Sequence, residues 1–266
     1  MPLVYSFTIK LHRANEHLQS STAAIDEWIA KKPYSFTDKF DPKRRFNVVT
    51  FRRDFGPPAW ISPIIGACLH NLRSSLDHSI FALAQHFNKG PLPYALARKT
   101  EFPIFHEFHT PDKFKKKTAS KLGHIDPGAQ TVIEGLQPYH ARDRFKTHWL
   151  WLLNELDIID KHRAFISVAG VQTVFTMRPR DLNSNVVVKP TFMKFLGISP
   201  FVDEAEVFHY GLPEGHPAMD MDFDSTVKVT FADGPAEGRE IISTLSGIRD
   251  YLLGIVYPKL IPFLSA

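Results

Sequence analysis

The sequence predicts an α+β protein with a helical core of two long packed helices plus shorter ones, and an antiparallel β-sheet formed mainly by residues 165–231. Three observations carry this. Apolar residues recur at helical spacing over about 59–88 and 144–163, β-prone segments dominate after Phe165, and the links between those segments are short, polar and rich in Gly and Pro.

The elements follow in order. Leu11, Leu18, Ile25, Trp28 and Ile29 lie at helical spacing, and Pro33 stops the pattern, which predicts a first helix over about 11–32. Tyr34–Phe40 and Arg45–Phe51 are β-prone and flank the turn-forming Asp41-Pro42-Lys43, so they predict a hairpin. Gly56-Pro57-Pro58 opens a long second helix that ends at Asn88-Lys89-Gly90-Pro91. A loop follows with the short extended piece Glu101-Phe102-Pro103-Ile104-Phe105, then helices at about 111–121, 127–136 and 144–163.

Strands are predicted at Phe165–Met177, Val186–Phe195, Ala205–Tyr210 and Thr226–Phe231, the last alternating Val227, Val229 and Phe231 with Lys228 and Thr230 as a half-buried strand does. A final helix from about Gly238 carries Ile241, Ile242, Leu245, Ile248 and Leu252 at core spacing until Pro258 and Pro262 disrupt it. Without a repeat or a composition break, residues 1–266 are expected to form a single domain, with a helical core of about 1–163 and 238–264 and a β-rich part of about 165–235.

Composition narrows the class. A chain of 266 residues that is 44% hydrophobic can bury a large core. The single cysteine, Cys68, excludes an intrachain disulfide, a four-cysteine zinc site and a CxxC redox pair. The start lacks a basic segment leading into an apolar one, and the longest apolar runs fall far short of the roughly 20 residues needed to span a bilayer. A cytoplasmic protein with no membrane partner is therefore expected. The net charge of +4 is spread over short clusters, Lys43-Arg44-Arg45, Arg52-Arg53 and Lys113 to Lys117, which allow RNA or another phosphate-bearing ligand as a partner without specifying one.

The second helix carries the most informative run, His70-Asn71-Leu72-Arg73-Ser74-Ser75-Leu76-Asp77-His78. At 100° per residue, Ile65, Leu69, Leu72, Leu76, Ile80, Leu83 and Phe87 form the buried stripe, and His70, Arg73, Ser74, Asp77 and His78 fill a wedge beside it. One reading makes Arg73 and Asp77 a plain i,i+4 ion pair. The other uses the end of the 144–163 helix, where Asp160 and Arg163 fall on the same side as the stripe Phe145, Trp149, Leu152, Leu156 and Ile159. Charges on a core-facing side need partners, so the two helices are expected to bring Arg73, Asp77, His78, Asp160 and Arg163 into one cluster, either a structural ion network or a site.

The stretch Leu69–Arg163 resembles a group of uncharacterised bacterial proteins that share Leu-Arg-Ser-x-Leu-Asp-His, Phe-Pro-Ile-Phe, Gln-Pro-Tyr and Asp-Lys-His-Arg, here Leu72–His78, Phe102–Phe105, Gln137–Tyr139 and Asp160–Arg163. More distantly it is similar to the HEPN superfamily, whose Arg-x4-6-His motif forms a metal-independent ribonuclease site, commonly across a dimer. Arg73 and His78 match that spacing. The resemblance implies His78 as general acid or base and Arg73 as the group stabilising phosphate charge, with RNA as substrate and a homodimer as the assembly. Only Arg73 and His78 carry over from the resemblance; His70, Asn71, Asp77, Asp160, His162 and Arg163 are candidate binding residues by their places on the two polar helix stretches. The chain departs from the motif at Ser74 and in carrying a sheet.

No metal set or cofactor is predicted. His148, Glu155 and His162 share a helix line but lie about 10 Å apart along it, and no nucleotide-binding or nucleophile-elbow motif occurs. Two functions stay open, a HEPN-like endoribonuclease or RNA-binding protein, and a non-catalytic small-ligand- or partner-binding protein whose polar cluster is structural.

Overall fold

A computed structural model describes residues 5–162, 168–181, 190–196, 204–213 and 219–264. Helix α1 (Ser6–Ala30) buries Phe7, Ala14, Leu18, Ser21, Ala24, Ile25 and Trp28 along one face and ends where Lys32 turns left-handed before Pro33. Strands β1 (Tyr34–Asp41) and β2 (Phe46–Arg53) form the expected hairpin. Its turn is held by Asp41, whose Oδ1 accepts from the amides of Lys43 at 2.9 Å and Arg44 at 3.1 Å.

Helix α2 (Ile61–Phe87) is the central rod. It lies along α1 and also touches the later helices. Six of the seven stripe residues, Ile65, Leu69, Leu72, Leu76, Ile80 and Leu83, are buried, while Phe87 at the last turn is 47% exposed. Each such buried aliphatic side chain contributes about 1.5–3 kcal/mol. Cys68 is a core residue of the same helix; its thiol donates to the carbonyl of Ala14, and burial pushes it up to about 12.

A one-turn helix, α3 (Tyr94–Ala97), precedes the extended piece, and α4 (Pro111–Leu122) and α5 (Pro127–Gly135) follow. The helix expected over 144–163 is two elements. Residues Pro138–Thr147 wind as 3-10 turns broken at Arg142 (φ 50°), His148 is extended, and α6 runs from Trp149 to His162. Phe145 therefore sits outside the helix, because a left-handed residue and an extended one both interrupt the hydrogen-bond ladder.

The fold is α+β, and its sheets are antiparallel. Strands β3 (Val168–Asp181) and β6 (Met219–Phe231) pair with each other as a long ribbon. Strands β4 (Phe192–Phe195) and β5 (Glu206–Gly211) instead join the hairpin, in the order β1-β2-β5-β4. Residues 34–53 thus supply half of the larger sheet, a long-range pairing that local periodicity does not contain. Arg44 ties the two parts, with both terminal nitrogens on the Glu206 carboxylate at 2.6 and 2.9 Å.

The closing helix α7 (Ile241–Tyr251) starts at the cap Glu240, whose carboxylate accepts from the amides of Ile242 and Ser243. Pro258 does not end it. The chain widens into a π-helical stretch, Leu252–Val256, and continues as α8 (Tyr257–Leu260). A wider turn relieves the clash between a proline ring and the preceding carbonyls and absorbs the missing N–H. No helix among the described residues is long and apolar enough to cross a membrane.

Candidate functional site

The polar wedge of α2 meets three different neighbours. Arg73 is the buried member, with its side chain 7% exposed. Nη1 donates to Asp77 Oδ1 at 2.6 Å, one helical turn on. Nη2 donates to the carbonyl of Phe102 at 3.0 Å and reaches Glu101 at 3.4 Å, and Glu101 also pairs with Lys121 at 2.8 Å. Asp77 Oδ1 in turn accepts from the Phe102 amide at 2.9 Å. The Arg73–Asp77 pair therefore satisfies both main-chain groups of Phe102, as a neighbouring strand would. Burial pushes the Asp77 carboxyl up, opposed by the Arg73 charge and the Phe102 amide.

Gln137 holds the same segment from the other side. Its Oε1 accepts from the Phe105 amide at 2.9 Å, and its Nε2 donates to the carbonyls of Pro103 at 3.0 Å and Ile133 at 2.9 Å. Three of the four sequence motifs thus meet on one segment, residues 101–105. Ser75, inside the first motif, accepts from the Tyr257 hydroxyl at 2.6 Å and donates to the Leu72 carbonyl, which pins α8 to α2.

The second group lies where α2 meets α6, which do pack together as expected. His70 Nδ1 sits 3.5 Å from Asp157 Oδ1, and Lys161 donates to Asp157 Oδ2 at 2.6 Å. Asp157, not Asp160, is the buried carboxylate of α6, 3% exposed. Asp160 is half-buried against Gly66, where an added Cβ would overlap its carboxylate. Burial and the neighbouring Asp157 charge both push the Asp160 carboxyl up. Arg163 and the side chain of His162 lie outside the described residues.

His78 forms the third group. It is half-buried, and burial together with the Lys10 charge from α1 holds its imidazole below the ordinary histidine range. Asn71 is occupied locally, donating to the Ala67 carbonyl at 2.8 Å. Of the single cluster expected of Arg73, Asp77, His78, Asp160 and Arg163, Arg73 and Asp77 serve the 101–105 segment, Asp160 sits beside Gly66, His78 feels both Lys10 and Asp77, and Arg163 lies outside the described residues.

What the clamp presents is the segment that continues from 105 to 109. The Phe105 and His109 rings lie 5.0 Å apart, His109 and Tyr139 stack at 6.0 Å, and Tyr139 and His140 lie 4.6 Å apart. Phe108, 68% exposed, stands edge-on to Tyr139, and His106 stacks on Phe145 at 5.3 Å. Lys117 of α4 places its ammonium 5.8 Å from the Phe105 ring. Beside this array a groove of about 240 Å³ separates α4 from α5. Glu134 in its wall accepts from the Tyr139 hydroxyl at 2.6 Å and touches His140 Nε2 at 3.1 Å.

Glu101, Gln137 and Asp157 are polar partners that sequence reasoning passed over. Gln137 lies inside the Gln-Pro-Tyr motif, and Asp157 falls on the apolar side of α6, where helical spacing marks apolar residues. No family model, curated protein or solved structure matches the chain.

Proposed function

We propose that this chain is a non-catalytic binding protein in which the polar face of α2 is structural and holds the 101–109 segment rigid for a ligand. The observation that carries this is the engagement of Arg73: both terminal nitrogens of its guanidinium are spent on Asp77, Glu101 and the Phe102 carbonyl. A phosphate would have to displace bonds that are buried and charge-assisted, the stronger kind. Loops held by a rigid scaffold are where binding residues concentrate, because preorganisation lowers the ordering cost of association.

The test is incubation of the purified protein with labelled RNA in EDTA, beside His78→Ala. The reading expects intact RNA in both reactions. Cleavage by the wild type that disappears in His78→Ala would contradict it and favour the HEPN-like nuclease.

A further inference from the structure

From the charge and ring arrangement around the clamped segment, we propose that the face formed by residues 105–117 and 138–146 binds a single-stranded polynucleotide. Bases stack on the exposed aromatic rings, and phosphates run along the flanking lysines and arginines. The proposal rests on the binding reading above and gives it a ligand class and a place.

The first argument is the charge of α4. Lys113, Lys115, Lys116 and Lys117 crowd the first two turns of this helix, and all four are exposed. A helix N-terminus carries a positive partial charge, and lysines there, with like charges at i,i+4 such as Lys113 and Lys117, lower helix stability by a few tenths of a kcal/mol each. A breach of local design without a structural return marks functional positions. Among the described residues, Lys113, Lys115 and Lys116 have no ion-pair partner, whereas Arg44 of the hairpin cluster is bound by Asp41 and Glu206. Among the described residues the hairpin cluster keeps Lys43 and Arg45 without an ion pair, and the cluster on α4 keeps Lys113, Lys115 and Lys116.

The second argument is the rings between the cations. The contacts Lys117 to Phe105, Phe105 to His109, His109 to Tyr139 and Tyr139 to His140 run without a gap from α4 to the 138–147 segment. That segment carries the exposed Arg142, Arg144 and Lys146. Arg142 is held at φ 50°, an unfavourable backbone region for a residue with a side chain. Phe108 and His106 are exposed rings at the edge of the array. Within this array His109 and Tyr139 are buried and the exposed rings are His106, Phe108 and His140; cations flanking exposed rings are what single-strand binding requires, since every base has a stacking face and each phosphate one charge. A duplex hides its bases and cannot use the rings.

Fluorescence anisotropy in EDTA with a short labelled oligouridylate, the matching oligothymidylate and a duplex of the same length tests this, using the full chain. Both single strands are expected to bind more tightly than the duplex, and the preferred one identifies RNA or DNA as the source. Phe108→Ala is expected to weaken binding about tenfold, the loss of one stacked base. Lys115→Gln with Lys116→Gln is expected to weaken it and to make the salt dependence shallower by about one unit of log–log slope. Lys39→Gln with Lys43→Gln removes the same charge from the hairpin and is expected to leave binding unchanged.

All three variants alter exposed side chains, so folding is not at issue. Absence of binding at low salt, equal affinity for the duplex, an unaffected Phe108→Ala, or an equal loss in the hairpin variant would each overturn the proposal. So would binding to anionic vesicles but not to the oligonucleotides. RNA cleavage dependent on His78 contradicts the non-catalytic reading instead, so the two failures are distinguishable.

Discussion

Asp77 and Phe102 are joined through a single carboxylate oxygen, which accepts the Phe102 amide at 2.9 Å while also holding Arg73 Nη1 at 2.6 Å. A side chain on α2 thereby does for an irregular segment what a neighbouring strand does in a sheet. The segment needs it, since Phe102 is fully buried and its main-chain groups are out of reach of water.

Asp77→Ala should therefore destabilise the fold by about 2–4 kcal/mol. Removing one member of a buried pair costs about 3–5 kcal/mol, and the one-third exposure of the Asp77 side chain reduces it. Chemical denaturation should show a lower midpoint with an unchanged slope. Asp77→Asn, which keeps an acceptor for the Phe102 amide, should cost less.

The polar residues of α2 are legible in the sequence, and so is the i,i+4 pair of Arg73 with Asp77, but their partners outside the helix are not. Helical periodicity gives the side of a helix on which a residue lies, so Arg73 and Asp77 were correctly set beside the buried stripe. It does not give what packs there. Outside the helix Arg73 meets Glu101 and the main chain of Phe102, the latter with no side-chain signature, and the carboxylate buried in α6 is Asp157. The strands reveal the same limit. Alternation marked the segments, whereas the pairing of β2 with β5 spans more than 150 residues and is set by packing.

The ion pairs of the larger sheet set an acid limit. Hydrogen bonds from Arg44 and then His209 hold Glu206 down at about 2, against an ordinary value of 4.5. A carboxylate depressed in the folded state adds stability that is present above its unfolded value and lost as pH falls through the folded one. Glu206→Gln should accordingly flatten the loss of stability between pH 4.5 and about 2, measured by thermal melts across that range.

His78 should respond to Lys10. Its imidazole lies below the ordinary 6.5 because of burial and then the Lys10 charge. With the folded value lowered, the unfolded chain binds more protons in the window between the two, so stability is full above 6.5 and falls as pH drops through the folded value. Lys10→Gln should move the His78 titration upward in an NMR pH series and reduce that loss.

His109 offers a gain. It is 1% exposed, and neither ring nitrogen has a hydrogen-bond partner among the described residues. Unsatisfied buried polar atoms cost about 1–3 kcal/mol, and phenylalanine keeps the ring between Phe105 and Tyr139. His109→Phe should raise stability by about 1 kcal/mol, read as a higher melting temperature.

The claim that α2 clamps the 101–105 segment is tested most directly by amide hydrogen exchange at Phe102, compared between wild type and Asp77→Ala, with the buried Val49 of β2 as internal reference. The clamp predicts a Phe102 amide that is protected in the wild type and exchanges far faster in the variant, by a factor well beyond any change at Val49. A Phe102 amide that is unprotected in the wild type, or that changes only as much as Val49, would contradict it.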